Sequence, residues 1–409
     1  MDAILKQLND YRKVVIEMQK KLVSIPALAP ESGGDGEHAK AEYIQSLLTE
    51  IGFDEIKQLD APDDRVSQKS RPNILATMYG KQSAPTVWVM SHMDVVPAGD
   101  ESLWESPPFE LRVDGDKLVG RGVEDNHQGL LCGLLACKAL RELDIKPKHT
   151  IGLAIVADEE NGSRYGLQYL LNHHKDEFSK DDLIIVPDAG DPDGTTIEVA
   201  EKSILWLKFR VTGNSCHAST PAQGINAHRA AAHLVVALES LYEKYPDKDD
   251  KYDDPRSTFE ATRIDSSTSA INTIPGEHVF YLDCRILPHM AINDILTEIK
   301  SIARDIKNAF GVDMDISSEQ QEQAAPATAE DAPVVQALQR AIHDVKGKEA
   351  SIIGIGGGTV ASVFRKAGFP AAVWGTILDT CHQPNEAALI SNILQDAQVL
   401  AHVFMQDDQ

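Results

Sequence analysis

Val87-Trp88-Val89-Met90-Ser91-His92-Met93-Asp94 is an apolar run that stops on a histidine and an aspartate. Two later stretches repeat the form: Ile151-Gly152-Leu153-Ala154-Ile155-Val156-Ala157-Asp158-Glu159-Glu160 and Leu183-Ile184-Ile185-Val186-Pro187-Asp188. Continuous, β-branched-rich runs bounded by turns predict strands buried on both faces. In an open α/β sheet, ligands bind beyond the carboxyl ends of such strands. Carboxylates crowded there repel one another unless a cation holds them. A histidine with several carboxylates is a ligand set for zinc, cobalt or manganese. The three endings together predict metal-dependent hydrolytic chemistry on an α/β fold.

Working outward, strand and helix signals alternate. Helical patterns run from Ile4 to Val23 and from Glu37 to Leu48, and a short strand spans Asn73 to Met78. A small-residue helix from Leu130 to Leu143 and another from Tyr165 to Leu171 separate the three apolar runs. This rhythm predicts a mostly parallel, helix-covered sheet. Near Ser203 the pattern changes to alternating strands, Ile204 to Val211 and His278 to Ile286, interleaved with helices Asn226 to Tyr245 and Ile292 to Phe310. That predicts an inserted α+β antiparallel sandwich. Asp313 to Ser317 reads as its last short strand and Glu319 to Pro326 as a return linker, after which the α/β rhythm resumes. The expected division is a discontinuous metal-binding domain, 1–203 with 319–409, and an inserted domain, 204–318.

A length of 409 residues calls for two domains. A net charge of −24 excludes nucleic acid as a partner, because phosphates would be repelled. No apolar stretch is long enough to span a membrane, and residues 1–7 lack the basic start and apolar core of a signal peptide. The five cysteines are odd in number and lack CxxC spacing, which predicts reduced thiols and a cytoplasmic protein.

Five motifs then occur in order: His92-Met93-Asp94-Val95-Val96-Pro97, Gly120-Arg121-Gly122-Val123-Glu124-Asp125-Asn126, Asp158-Glu159-Glu160-Asn161-Gly162, Pro187-Asp188-Ala189-Gly190 and His382-Gln383-Pro384-Asn385-Glu386. The set resembles the co-catalytic zinc family that contains succinyl-diaminopimelate desuccinylase, acetylornithine deacetylase, aminoacylase, glutamate carboxypeptidase and several dipeptidases. The resemblance covers essentially the whole chain, including the insert as a lid and dimerisation domain. It implies two divalent ions per subunit, zinc foremost, with cobalt or manganese as alternatives. Asp125 would bridge them, His92 and Asp188 would complete one site, and Glu160 and His382 the other. Asp94 would bond the free ring nitrogen of His92 and fix its tautomer. Glu159 would be the general base, and the Asp125–Asn126 peptide would be cis.

The same resemblance extends to the substrate side. Gly213-Asn214-Ser215-Cys216-His217-Ala218-Ser219-Thr220-Pro221 matches a lid motif whose histidine reaches the partner subunit's active site and helps stabilise the oxyanion, which implies that role for His217. Asn272 and Arg285 match lid positions that contact the polar end of a substrate; a surface salt bridge to Asp283 or Asp265 is the bland alternative for Arg285. Gly357, Gly358 and Thr359, ahead of a helix, could bind a carboxylate through backbone N–H groups and the hydroxyl. The leading expectation is a homodimeric amidohydrolase that removes the acyl group of an N-acyl amino acid, of desuccinylase or deacetylase type, through a metal-activated water. Position 188 departs from that branch, being Asp where Glu is frequent, and this keeps a dipeptidase or aminopeptidase as the alternative. An inactive binding relative is the competing non-enzyme reading, set against the presence of the base and all five ligands.

Overall fold

The computed structural model describes residues 1–266 and 270–406. It forms two units: residues 1–199 with 328–353 and 359–409, and residues 200–327 with 354–358. An eight-stranded sheet organises the first. Its order is Glu55–Gln58, Ile74–Met78, His149–Val156, Gln82–His92, Leu183–Val186, Ala371–Val373, Thr196–Glu201 and Ser351–Ile355. The four central strands, from His149–Val156 to Ala371–Val373, are mutually parallel. Ile74–Met78, Glu55–Gln58 and Thr196–Glu201 pair antiparallel at the margins. The apolar runs are buried on both faces because helices cover the sheet; every residue of His149–Val156 and Leu183–Val186 is buried.

Register decides where the polar endings fall. His92 lies opposite Val156, and Val186 opposite Val373. Parallel strands in step leave the sheet at one edge, so Asp94, Asp158 to Glu160 and Asp188 emerge together. Two glycines let neighbouring groups come close. A Cβ at Gly152 would sit 2.3 Å from the Trp88 ring, and one at Gly129 would sit 2.3 Å from the Pro187 carbonyl oxygen. The latter seats the His127–Glu142 helix against the peptide that precedes Asp188.

The second unit holds an antiparallel sheet in the order Thr258–Ser266, Glu277–Ile286, Ser203–Thr212, Asp313–Glu322. Alternation along Ser203–Thr212 turns Leu205, Leu207, Phe209 and Val211 into a core shared with helices Ala227–Leu238 and Ile292–Phe310. The Phe209 and Phe280 rings stack there at 4.6 Å.

Several boundaries differ from the sequence reading. The Ile4 to Val23 pattern is two helices, Asp2–Asn9 and Arg12–Val23, broken where the buried Tyr11 turns its hydroxyl to Glu142. Asn226 to Tyr245 likewise divides at Glu239. The last insert strand runs on to Glu322, which pairs with Ile204, so much of the expected linker is strand. Ser203–Thr212 lies between two partners, and the outer strands are Thr258–Ser266 and Asp313–Glu322. Thr258–Ser266 had no clear sequence signal.

Removing a stacked core ring tests this packing. Phe209→Ala is expected to destabilise the inserted unit by about 3–5 kcal/mol, the usual loss for a buried aromatic. Denaturant unfolding followed by circular dichroism measures it, and a change below ~1 kcal/mol would contradict the packing described.

Candidate metal centre

All three strand endings, the Gly120–Asn126 turn and the His382 loop meet within the first unit. His92 ends its strand fully buried, with Nε2 2.8 Å from Asp125 Oδ1 and 3.3 Å from Asp188 Oδ1. His382 approaches from the other side, its Nε2 3.1 Å from Asp125 Oδ2 and 3.0 Å from Glu160 Oε2. Two ligand-like groups result, His92/Asp125/Asp188 and Asp125/Glu160/His382, with ligand atoms in each within 4.8 Å of one another. Asp125 belongs to both and offers one carboxylate oxygen to each.

Other side chains hold this arrangement. The buried Asp94 carboxylate accepts the Glu159 and Glu160 backbone N–H groups, each at 3.1 Å. It thereby fixes the turn that presents the two adjacent glutamates. The His92 ring nitrogen Nδ1 lies 3.0 Å from the Asp94 carbonyl and 3.4 Å from its carboxylate, so the backbone oxygen is the nearer partner. Glu386, fully buried, gathers Arg121 Nη1 at 2.7 Å and the N–H groups of Gly122, Glu124 and Asp125 at 2.9–3.0 Å. Asn126 donates to the Pro187 carbonyl at 2.8 Å and to the Asp188 carboxylate, tying two ligand-bearing turns together. The Asp125–Asn126 peptide is cis.

Charge is unevenly distributed among these groups. Burial disfavours a charged His92, yet the Asp188 and Asp125 carboxylates outweigh it and hold its pKa well above the usual imidazole value. Bonds to Asp125 and Glu160 push His382 up to about 10. Burial would raise Asp125, but both histidines hold it below the ordinary carboxylate range. Burial and then the Asp188 charge push Glu159 well upward. Glu160 is raised by burial, and its Oε1 is buried without a hydrogen-bond partner. In the metal-free protein, protons on the two histidines therefore offset only part of the carboxylate charge. An orphaned carboxylate oxygen beside a shared carboxylate and two imidazoles fits divalent cations as the natural replacement for those protons.

The other expected site residues lie elsewhere in the chain's organisation. His217 stands exposed on a two-residue strand of the second unit, its Nδ1 2.7 Å from Ser219 Oγ. Asn272, also exposed there, accepts the Ala218 N–H through its carbonyl. Arg285 donates to both carboxylate oxygens of Asp283, at 2.8 and 3.1 Å, and to the Gly356 carbonyl at 3.0 Å. Gly357 and Gly358 follow in the same unit, while Thr359 precedes a helix of only six residues, Ala361–Lys366. Sequence reasoning assigned no role to the side chains of Glu386, Arg121 or Asn126, although all three stand inside the quoted motifs.

Comparison with known proteins follows this geometry. The profile of peptidase family M20/M25/M40 matches residues 88–406. An uncharacterized metallohydrolase of Methanococcus maripaludis is 40% identical over 405 residues, which cover 94% of this chain and 97% of that protein. The succinyl-diaminopimelate desuccinylase of Hahella chejuensis is 26% identical, with 97% of each chain covered. Among solved structures, the aminopeptidase PepT from Bacillus cereus superposes with a TM-score of 0.74 at 18% identity, over 96% of this chain and 98% of that one. At that identity the superposition speaks for the fold alone.

Metal uptake has a proton signature. A ligating imidazole must be neutral, whereas His382 stays protonated up to about pH 10 without metal. Loading at pH 7 is expected to release at least one proton per chain, with apparent affinity rising as pH rises toward that value. Calorimetric titration in buffers of different ionisation enthalpy measures the release; a buffer-independent heat would contradict the assignment.

Proposed function

The chain belongs to peptidase family M20/M25/M40, and from that premise we propose a dinuclear amidohydrolase, loaded with zinc, that removes the acyl group of an N-acyl amino acid. Membership makes it a metal-dependent hydrolase of amide or peptide bonds. The observation that carries the finer reading is the pair of ligand groups sharing Asp125, with Glu159 adjacent and unligated.

The division of labour follows from position. His92, Asp125 and Asp188 would hold one ion, and Asp125, Glu160 and His382 the other. Metal held by these residues would supply Lewis acidity toward the substrate carbonyl and would lower the pKa of a nearby water. Glu159, next in sequence to a candidate ligand yet outside both ligand groups, would accept the proton of the attacking water and return it to the leaving amine. Asp94 orients this base by accepting its backbone N–H. His217 of the partner subunit is assigned to the developing oxyanion. Asn272 and Arg285, with Gly357, Gly358 and Thr359, are assigned to the polar end of the substrate. Arg285 must then exchange its Asp283 and Gly356 partners for that group, which favours a substrate carboxylate as the competitor.

Desuccinylase-type chemistry is supported by the relative of that name, whose match covers 97% of the chain. Asp188 favours a second reading, a dipeptidase or aminopeptidase. Assay of the metal-loaded protein on a panel of N-acyl amino acids and dipeptides separates the two, and no turnover on either class would overturn both. Cytoplasmic residence accords with five unpaired cysteines. Among the described residues no helix is long and apolar enough to cross a membrane.

Glu159→Gln is expected to lower kcat by about 10²–10⁴-fold with metal content intact. Glu160→Gln should instead weaken metal binding; identical metal titrations for the two variants would refute the division. We also assign a homodimer formed through the inserted unit, whose outer strand Thr258–Ser266 leaves Ile264 66% exposed. Sedimentation should give about twice the 44.7 kDa chain mass. Mixing His217→Ala with Glu159→Gln subunits should restore partial activity. Absence of rescue under proven subunit exchange would remove His217 from its neighbour's site.

A further inference from the structure

A buried charged network lies against the metal centre and takes no part in the chemistry described so far. Glu37 and Arg71 are both fully buried and form a two-pronged ion pair, Arg71 Nε donating to Glu37 Oε2 at 2.6 Å and Nη2 to Oε1. The third arm of the guanidinium, Nη1, lies 3.5 Å from Asp158 Oδ1. Asp158 sits immediately before Glu159 and Glu160, in the left-handed region at φ 60°. Its carbonyl accepts the Ser163 N–H at 2.6 Å, and its carboxylate accepts the Tyr165 N–H at 3.0 Å. The turn bearing the two glutamates is thus pinned at Asp94 on one side and at Asp158 on the other.

Three residues beyond Glu37, and so on the same helical face, Lys40 is 1% exposed, with Nζ 2.8 Å from His127 Nε2. Among the described residues its ammonium has no carboxylate within ion-pair distance. His127 opens the helix that follows Asp125 and Asn126, and its own N–H is held by the Gly122 carbonyl at 3.0 Å. Asn126 in turn bonds Pro187 and Asp188. Buried ion pairs and a buried ammonium are poor devices for stability, because desolvation offsets most of their attraction. What they provide is a fixed geometry.

We infer that the N-terminal end of the His38–Ile51 helix braces the metal centre, Lys40 in its first turn positioning the loop of Asp125 and Glu37 at its cap positioning, through Arg71 and Asp158, the turn of Glu159 and Glu160. These side chains are positioning residues; none is among the ligand groups. Glu37, Lys40 and Arg71 all precede residue 88, where the family match begins, so the brace comes from a part of the chain outside that match. The two arms act on different ligands. Asp125 is shared between both groups, whereas Glu160 belongs to one. The Lys40 arm therefore governs both metals and the Glu37 arm only one.

The inference rests on the metal-centre reading proposed above. Its test is cobalt titration of the full chain, followed by visible absorption, for wild type, Glu37→Gln and Lys40→Met. Glu37→Gln should weaken one of two cobalt-binding steps by about 10–100-fold, the usual effect of losing a group that orients a ligand, and shift the band of that step alone. Lys40→Met should weaken both steps and shift both bands. A wild type that binds two cobalt ions, with folded variants that titrate and absorb identically to it, overturns the brace alone. A wild type that takes up no cobalt overturns the metal-centre reading and the brace with it. Failure of both variants to fold also overturns the inference, since it would assign the network to stability rather than to positioning.

Discussion

Mutual repulsion among carboxylates at one edge of a parallel sheet is the constraint on which the rest of this molecule depends. Strands in step must end together, and here their endings are acidic. Asp94, Asp125, Glu159, Glu160 and Asp188 crowd around two imidazoles, His92 and His382. In a partly dry setting such charges interact far more strongly than in water. Without metal, the histidines hold protons that partly offset this, and their pKa values rise accordingly. Divalent ions held there would neutralise the same carboxylates and leave the imidazoles free to ligate.

Holding the geometry before metal arrives falls to side chains one step back. Glu386 gathers three backbone N–H groups and an arginine around the Gly120–Asn126 turn, satisfying donors that would otherwise be buried and unpaired. Asp94 does the same for the two glutamates. Burial and then the Lys40 charge keep His127, next to the ligand loop, well below the usual imidazole value. Asp125 and Glu160 are thereby fixed through their backbone N–H groups, by Glu386 and Asp94, rather than by ligand-to-ligand contact alone.

Much of this was legible in the sequence, for reasons particular to each element. The buried central strands read clearly because strands covered on both faces need unbroken apolar runs. Ile292–Phe310 read clearly because its apolar stripe recurs at helical spacing, and the helix spans those residues. Thr258–Ser266 did not, because an outer strand with both polar and apolar residues exposed carries no alternation to detect. Ser203–Thr212 has the alternation of a half-buried strand, but alternation says nothing of how many neighbours a strand has. Of the candidate ligands, His92, Glu160 and Asp188 stood at or just beyond strand ends, and Asp125 and His382 in loops, all within ordered motifs. Glu37, Lys40 and Arg71 carried no such signal: Arg71 meets Asp158 and Lys40 meets His127 across 87 residues of chain, and only the folded structure brings them together.

The central claim is that one carboxylate, Asp125, is shared by two metal ions. X-ray absorption at the metal edge of the fully loaded protein tests it most directly. A shared carboxylate predicts a metal–metal scattering path at roughly 3.5–4 Å, alongside a first shell of nitrogen and oxygen ligands near 2.0–2.2 Å. In Asp125→Ala that metal–metal path should vanish. Its absence from the loaded wild-type protein, or its persistence in the variant, would contradict the account.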